Sequence, residues 1–133
     1  MHLIVFAFSV LALAGSCKGP SGEKESNTSI SASGPVEVFY FHNTRRCATC
    51  NAVEDVTRTT LAEQFDQEIP FTSYNLEEED GKKKAAELGV AGQTLLVVKG
   101  EKKINLTNEG FMYARSNPDQ LKQLLAENIR PLL

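Results

Sequence analysis

The sequence predicts an α/β domain: a four-stranded mixed sheet with helices on both faces. Three features predict it. Strand-like and helix-like runs follow one another as strand, helix, strand, helix, strand, strand, helix (β-α-β-α-β-β-α). The first two strands are joined through a helix, which calls for parallel pairing by a right-handed crossover, whereas the last two are joined by a short turn, which calls for an antiparallel hairpin. The stretch Thr94-Leu95-Leu96-Val97-Val98 is almost continuously apolar, the pattern of a central strand buried on both faces.

Three segments precede or make up this domain. Residues 1–17 hold no Asp, Glu, Lys or Arg. The apolar run that begins at Leu3 and ends at Ala14 is shorter than the roughly 20 residues of a membrane-spanning helix and has the length of a signal-peptide core. Ala14-Gly15-Ser16-Cys17 resembles the bacterial lipobox, with Ala14 where that motif carries leucine and His2 as the one polar residue where Lys or Arg is usual. The expectation is a lipoprotein-type signal peptide over 1–16 and a lipidated Cys17 opening a tether over 17–34. The tether is rich in Ser and Gly and has one large apolar residue, Ile30, too little to offset the entropy of ordering. An uncleaved anchor, or a cleaved leader with an ordinary Cys17, is the alternative. All three place the domain over 35–133 outside the cytoplasm, in a cell envelope where disulfides form.

Within 35–133 the first strand is Val36-Glu37-Val38-Phe39-Tyr40-Phe41, β-branched and aromatic. A polar loop from His42 to Arg46 leads to Cys47 and Cys50. Val53, Val56, Leu61 and Phe65 then recur at near-helical spacing, with Glu, Asp, Arg and Gln read as the solvent side. Ile69 to Leu76 is the second strand, with Pro70 at its start, where a missing N–H is tolerated. The acidic run Glu77 to Asp80 ahead of Lys82-Lys83-Lys84 suits the dipole of a second helix, which Gly89 would cap. Thr94 to Val98 is the third strand. A turn at Lys99 to Lys102 leads to a fourth, Lys103 to Thr107. Asn117-Pro118-Asp119 opens the last helix, whose apolar stripe is Leu121, Leu124, Leu125 and Ile129. Phe111, Met112 and Tyr113 read as packing residues.

Composition narrows the function classes. Hydrophobic residues make up 41% of the chain and the formal net charge is −3, from 14 basic and 17 acidic residues. With no basic stripe and no interleaved aromatics, nucleic acid is not an expected partner. No cofactor is expected, and no metal. A structural zinc site takes four Cys or His ligands, and apart from Cys17 and the leader's His2 the chain offers Cys47, Cys50 and His42.

The placement of Cys47-Ala48-Thr49-Cys50 carries the chemistry. The pair follows a hydrophobic strand and opens an amphipathic helix. A cysteine at a helix N-terminus meets unpaired N–H groups and the positive end of the dipole, which favour its thiolate. Arg45 and Arg46 just before it add positive charge. Cys50, one turn on, is within reach to resolve a mixed disulfide. Cys47 is therefore the expected attacking thiolate and Cys50 the resolving thiol.

On this motif and element order the chain resembles the thioredoxin superfamily over nearly all of 35–133, without that family's extra N-terminal strand and helix. The resemblance implies a thiol–disulfide oxidoreductase with a protein or small-thiol redox partner, here tied to a membrane through its lipid. It places Gln93, just before Thr94, where the family carries a cis-proline beside the active site. Arg46 replaces the usual aromatic residue before the first cysteine, Ala48-Thr49 forms the intervening dipeptide, and the family's buried acid falls at Phe41. Glu37 and His42 are then the nearest titratable groups on that strand. Arg45, Arg46, His42 and Gln93 are the candidates for tuning the thiols or touching substrate. Two other functions share the residues: a binding module with a structural disulfide, and a dithiol carrier of soft metals or metalloids.

Overall fold

The computed structural model describes residues 34–133. The signal peptide over 1–16, the lipidated Cys17 and the tether, apart from Gly34, lie outside the described residues. The elements are β1 (Val36–His42), α1 (Ala48–Phe65), β2 (Phe71–Asn75), α2 (Glu79–Leu88), β3 (Thr94–Lys99), β4 (Lys102–Asn105), α3 (Thr107–Tyr113) and α4 (Pro118–Ile129), followed by a short 3-10 turn over Arg130–Leu132. The sheet order is β2-β1-β3-β4. β1 pairs in parallel with β2 and antiparallel with β3, which pairs antiparallel with β4. This is the mixed four-stranded sheet the sequence predicts.

Alternation along the two interior strands divides the core. Val36, Val38 and Tyr40 of β1, with Leu95 and Val97 of β3, pack against Val53, Leu61 and Phe65 of α1 and Leu121, Leu125 and Ile129 of α4. Phe39, Phe41, Leu96 and Val98 face the opposite way and meet Ala85 of α2. Each fully buried aliphatic or aromatic side chain contributes about 1.5–3 kcal/mol by leaving water. This double burial explains the almost continuous apolar run of β3 and the unbroken Val38-Phe39-Tyr40-Phe41 stretch of β1.

Two glycines are dictated by geometry. A Cβ on Gly81 would stand 1.8 Å from the Asn75 carbonyl oxygen, so α2 starts this close to the end of β2 only with glycine there. Gly89 caps α2 with φ of 72°, in the left-handed region.

The structure departs from the sequence reading in two places. β4 ends at Asn105, and Thr107 opens a helix where a strand residue was expected. Asn105 Oδ1 accepts from the Thr107 N–H at 3.0 Å, and Thr107 Oγ1 accepts from the Leu95 N–H at 3.0 Å, so side chains turn the chain out of the strand. α3 thus adds an element to the expected order and takes in Phe111, Met112 and Tyr113, of which Met112, expected to pack, is exposed. Its Gly110 lies against Val53 and Leu95, where even a Cβ would be 3.3 Å from Val53 Cγ1. The second departure is Glu54, expected on the solvent side of α1 but buried.

Candidate active site

β1 delivers the chain into the loop from Asn43 to Arg46, and α1 begins at once, with Cys47 as its N-cap. Cys47 is extended, with φ of −85° and ψ of 167°, and its Sγ accepts the Cys50 N–H at 3.2 Å. The sulfur therefore does the work of a capping oxygen, satisfying one of the free N–H groups of the first turn. No acidic residue occupies that turn to compete for them.

The two thiols are free, Cys47 exposed and Cys50 buried. Their sulfurs are 2.6 Å apart, within hydrogen-bonding distance, with either thiol able to donate. Hydrogen bonds from the Cys50 thiol and the Cys50 N–H hold the Cys47 pKa below the ordinary thiol value. Burial, and then the hydrogen bond to Cys47, push Cys50 the other way. The pair is thus split into an exposed sulfur disposed to be a thiolate and a buried one disposed to stay protonated.

Gln93, on the loop before β3, reaches this pair. Its Oε1 accepts from the Cys50 thiol at 3.3 Å, so this loop residue touches the buried cysteine. His42 closes β1 and places Nδ1 2.9 Å from the Asn43 carbonyl oxygen, with no hydrogen bond to either thiol. Arg45 is exposed.

Arg46 makes its side-chain hydrogen bonds to groups other than Cys47. One of its guanidinium nitrogens donates to Glu54 Oε2 at 2.5 Å and to the Cys50 carbonyl at 3.4 Å, and the group lies over the Tyr40 ring, 5.7 Å from its centroid. The expected charge stabilisation of Cys47 by the two arginines is not among the largest influences on that thiol, which come from Cys50 and from backbone N–H groups. The physical reason is that Glu54 takes up the Arg46 charge.

Glu54 is the acid that sequence reasoning missed. Its carboxylate also accepts from Arg58 Nε at 3.1 Å, Arg58 Nη2 at 2.7 Å and Ser73 Oγ of β2 at 3.1 Å. Burial alone would raise its pKa, but the hydrogen bonds from Arg58, Arg46 and Ser73 outweigh burial and hold it below the usual carboxylate value. The signal was present: Glu54 lies four residues after Cys50, on the same face of α1. Glu37, the other acid considered, stands at the far end of β1. Tyr40 was also missed. It is fully buried, and its hydroxyl has no hydrogen-bond partner among the described residues.

Among the described residues no group of three or more His, Cys, Asp or Glu gathers as a metal site. No described helix is long and apolar enough to cross a membrane.

No protein-family model matches the chain. No curated protein matches it either. Among solved structures it is similar to thioredoxin O2 from Arabidopsis thaliana in the oxidized state, at 19% identity over 70% of this chain and 74% of that one, with a TM-score of 0.51. Thioredoxin f2 from Chlamydomonas reinhardtii aligns at 17% identity over 72% of this chain and 81% of its own, TM-score 0.49. The thioredoxin of Fasciola hepatica aligns at 18% identity over 77% and 86%, TM-score 0.49. With a mixed β2-β1-β3-β4 sheet, helices on both of its faces and this likeness to a solved thioredoxin, the described residues form a thioredoxin-like fold.

Proposed function

We propose that the protein is an envelope-tethered thiol–disulfide oxidoreductase working through Cys47 and Cys50. One observation carries the reading: the exposed Cys47 sulfur caps α1, with its pKa lowered, while the buried, protonated Cys50 waits 2.6 Å away. Cys47 attacks a disulfide of a protein or small-thiol partner and Cys50 resolves the mixed disulfide. Arg45, exposed and free of Glu54, is the charge left to meet an acidic partner. Stabilising the thiolate stabilises the reduced form, which inclines the same exchange to run in reverse, a partner thiol attacking the Cys47–Cys50 disulfide and Cys50 leaving as a thiolate.

The test is a titration of the full chain in graded glutathione buffers, with the disulfide scored by alkylation and mass. A reversible two-electron transition between about −270 and −120 mV is expected. A bond still closed below about −300 mV would make it a structural bridge instead. Thiols that never pair would favour the dithiol metal carrier.

The lipid on Cys17 completes the proposal, holding the domain to a bacterial membrane on its outer side. Fatty-acid labelling of cells expressing the chain checks it: label and membrane association should both vanish in Cys17→Ser.

A further inference from the structure

A buried hydroxyl without a hydrogen bond is destabilising and calls for an explanation. Tyr40 holds such a hydroxyl at 0% exposure, in a nonetheless polar neighbourhood. Across β1 it pairs with Ser73 of β2 on one side and Leu95 of β3 on the other. Ser73 reaches Glu54, Glu54 holds Arg46, and Arg46 lies over the Tyr40 ring while bonding the Cys50 carbonyl. The groups bearing charge or titrating around the ring are therefore Cys50, Cys47 and Glu54 from α1, Arg46 from the loop and His42 on its own strand, whose ring is 5.9 Å away.

Cys50 has the opposite need. As a thiol it has two acceptors within reach, Cys47 Sγ and Gln93 Oε1. As a thiolate it has nothing to donate, and the carbonyl-type oxygen of Gln93 then faces a negative sulfur. The thiolate requires a donor, and among the described residues two buried donors lack a partner, Tyr40 Oη and Arg46 Nε; the Arg46 charge is already held by Glu54, which leaves the tyrosine hydroxyl.

We propose that Tyr40 is the hydrogen-bond donor reserved for the Cys50 thiolate, engaged when Cys50 resolves the mixed disulfide. The proposal rests on the oxidoreductase reading above. In that step Cys50 Sγ bonds to Cys47 Sγ, and the bond from Cys47 to the partner breaks with its electron pair on the partner sulfur. The proton given up by Cys50 reaches that sulfur through solvent. The enzyme dithiol is oxidised to a disulfide and the partner disulfide is reduced to thiols. Gln93 suits Cys50 before the step and Tyr40 suits it during the step, so the orphaned hydroxyl of the resting state is the counterpart of a stabilised thiolate.

The test uses Cys47→Ser in the full chain, where Cys50 alkylation is followed against pH by peptide mass and separated from Cys17. Adding Tyr40→Phe should raise the Cys50 midpoint and slow alkylation below it about tenfold, the effect of one hydrogen bond to a charged group. Thermal stability should hold or rise, because the orphaned hydroxyl is gone. An unchanged alkylation profile in the folded variant would overturn the proposal. An infrared difference spectrum across the Cys50 titration tests it without touching Tyr40. A perturbed tyrosine C–O mode is expected, and an unperturbed one overturns the idea. Both measurements lack the Cys47 thiol, so they are independent of whether the native pair is a working couple, which the glutathione titration reads separately.

Discussion

α1 and α4 begin in different ways. α4 opens on Asn117, whose side chain accepts the Gln120 N–H at 3.3 Å, followed by Pro118 and then Asp119 in the first turn. These are the residues that stabilise a helix start: a capping amide, a proline with φ already set and an acid on the dipole. α1 opens on a sulfur, has neither proline nor acid in its first turn, and leaves its dipole facing Cys47. One start is built for stability and the other leaves its electrostatic advantage to a reactive atom. A helix terminus can serve a fold or a thiolate, and this chain uses one for each.

The comparison is broken most severely by Cys47→Ser. Disulfide exchange with a small aromatic disulfide should fall to background, while the thermal midpoint stays near that of the native protein, because Ser is itself a strong N-cap. A residual rate close to native would move the reactive role to Cys50.

Glu54→Ala comes next. It removes the tie between α1, the Arg46 loop and β2, and should cost about 2–3 kcal/mol in denaturant unfolding. That is less than the loss from a fully buried pair, because Arg58 is half exposed. The pH dependence has a definite sign. The folded pKa of Glu54 is depressed, so its contribution is fully present above the unfolded carboxyl value of about 4.3 and is lost as pH falls through the folded one. Native protein should therefore lose its margin over Glu54→Ala in acid.

Asn117→Ala should cost about 1 kcal/mol of stability and leave the alkylation of Cys47 unchanged, which separates the two helix starts experimentally. The smallest effect sharpens the contrast. Thr49→Asp gives α1 an acid at the position Asp119 holds in α4. It should raise the Cys47 pKa and slow its alkylation about two- to fivefold near neutral pH, as expected of a charge worth about 0.3–1 kcal/mol at a helix end.

The order of the strands along the chain, the helix that opens at the cysteine pair and the two-sided burial of β3 were all legible in sequence, because each is a local pattern of period, branching and capping. Cys47 and Cys50 were legible for the same reason: a strand, a polar loop and a helix start fix where the pair sits. α3 was not, since seven residues with a central glycine carry too little periodicity, and its helix is held by Thr107 on Leu95 and by the close fit of Gly110. The burial of Glu54 depends on Ser73, nineteen residues away, and on the path of Arg46. Gln93 meets Cys50 across 43 residues of chain. The sequence by itself determined the scaffold and the reactive pair. Tertiary structure decided which polar groups surround that pair, because long-range packing, which no local pattern encodes, sets where a carboxylate, an amide and a phenol come to rest.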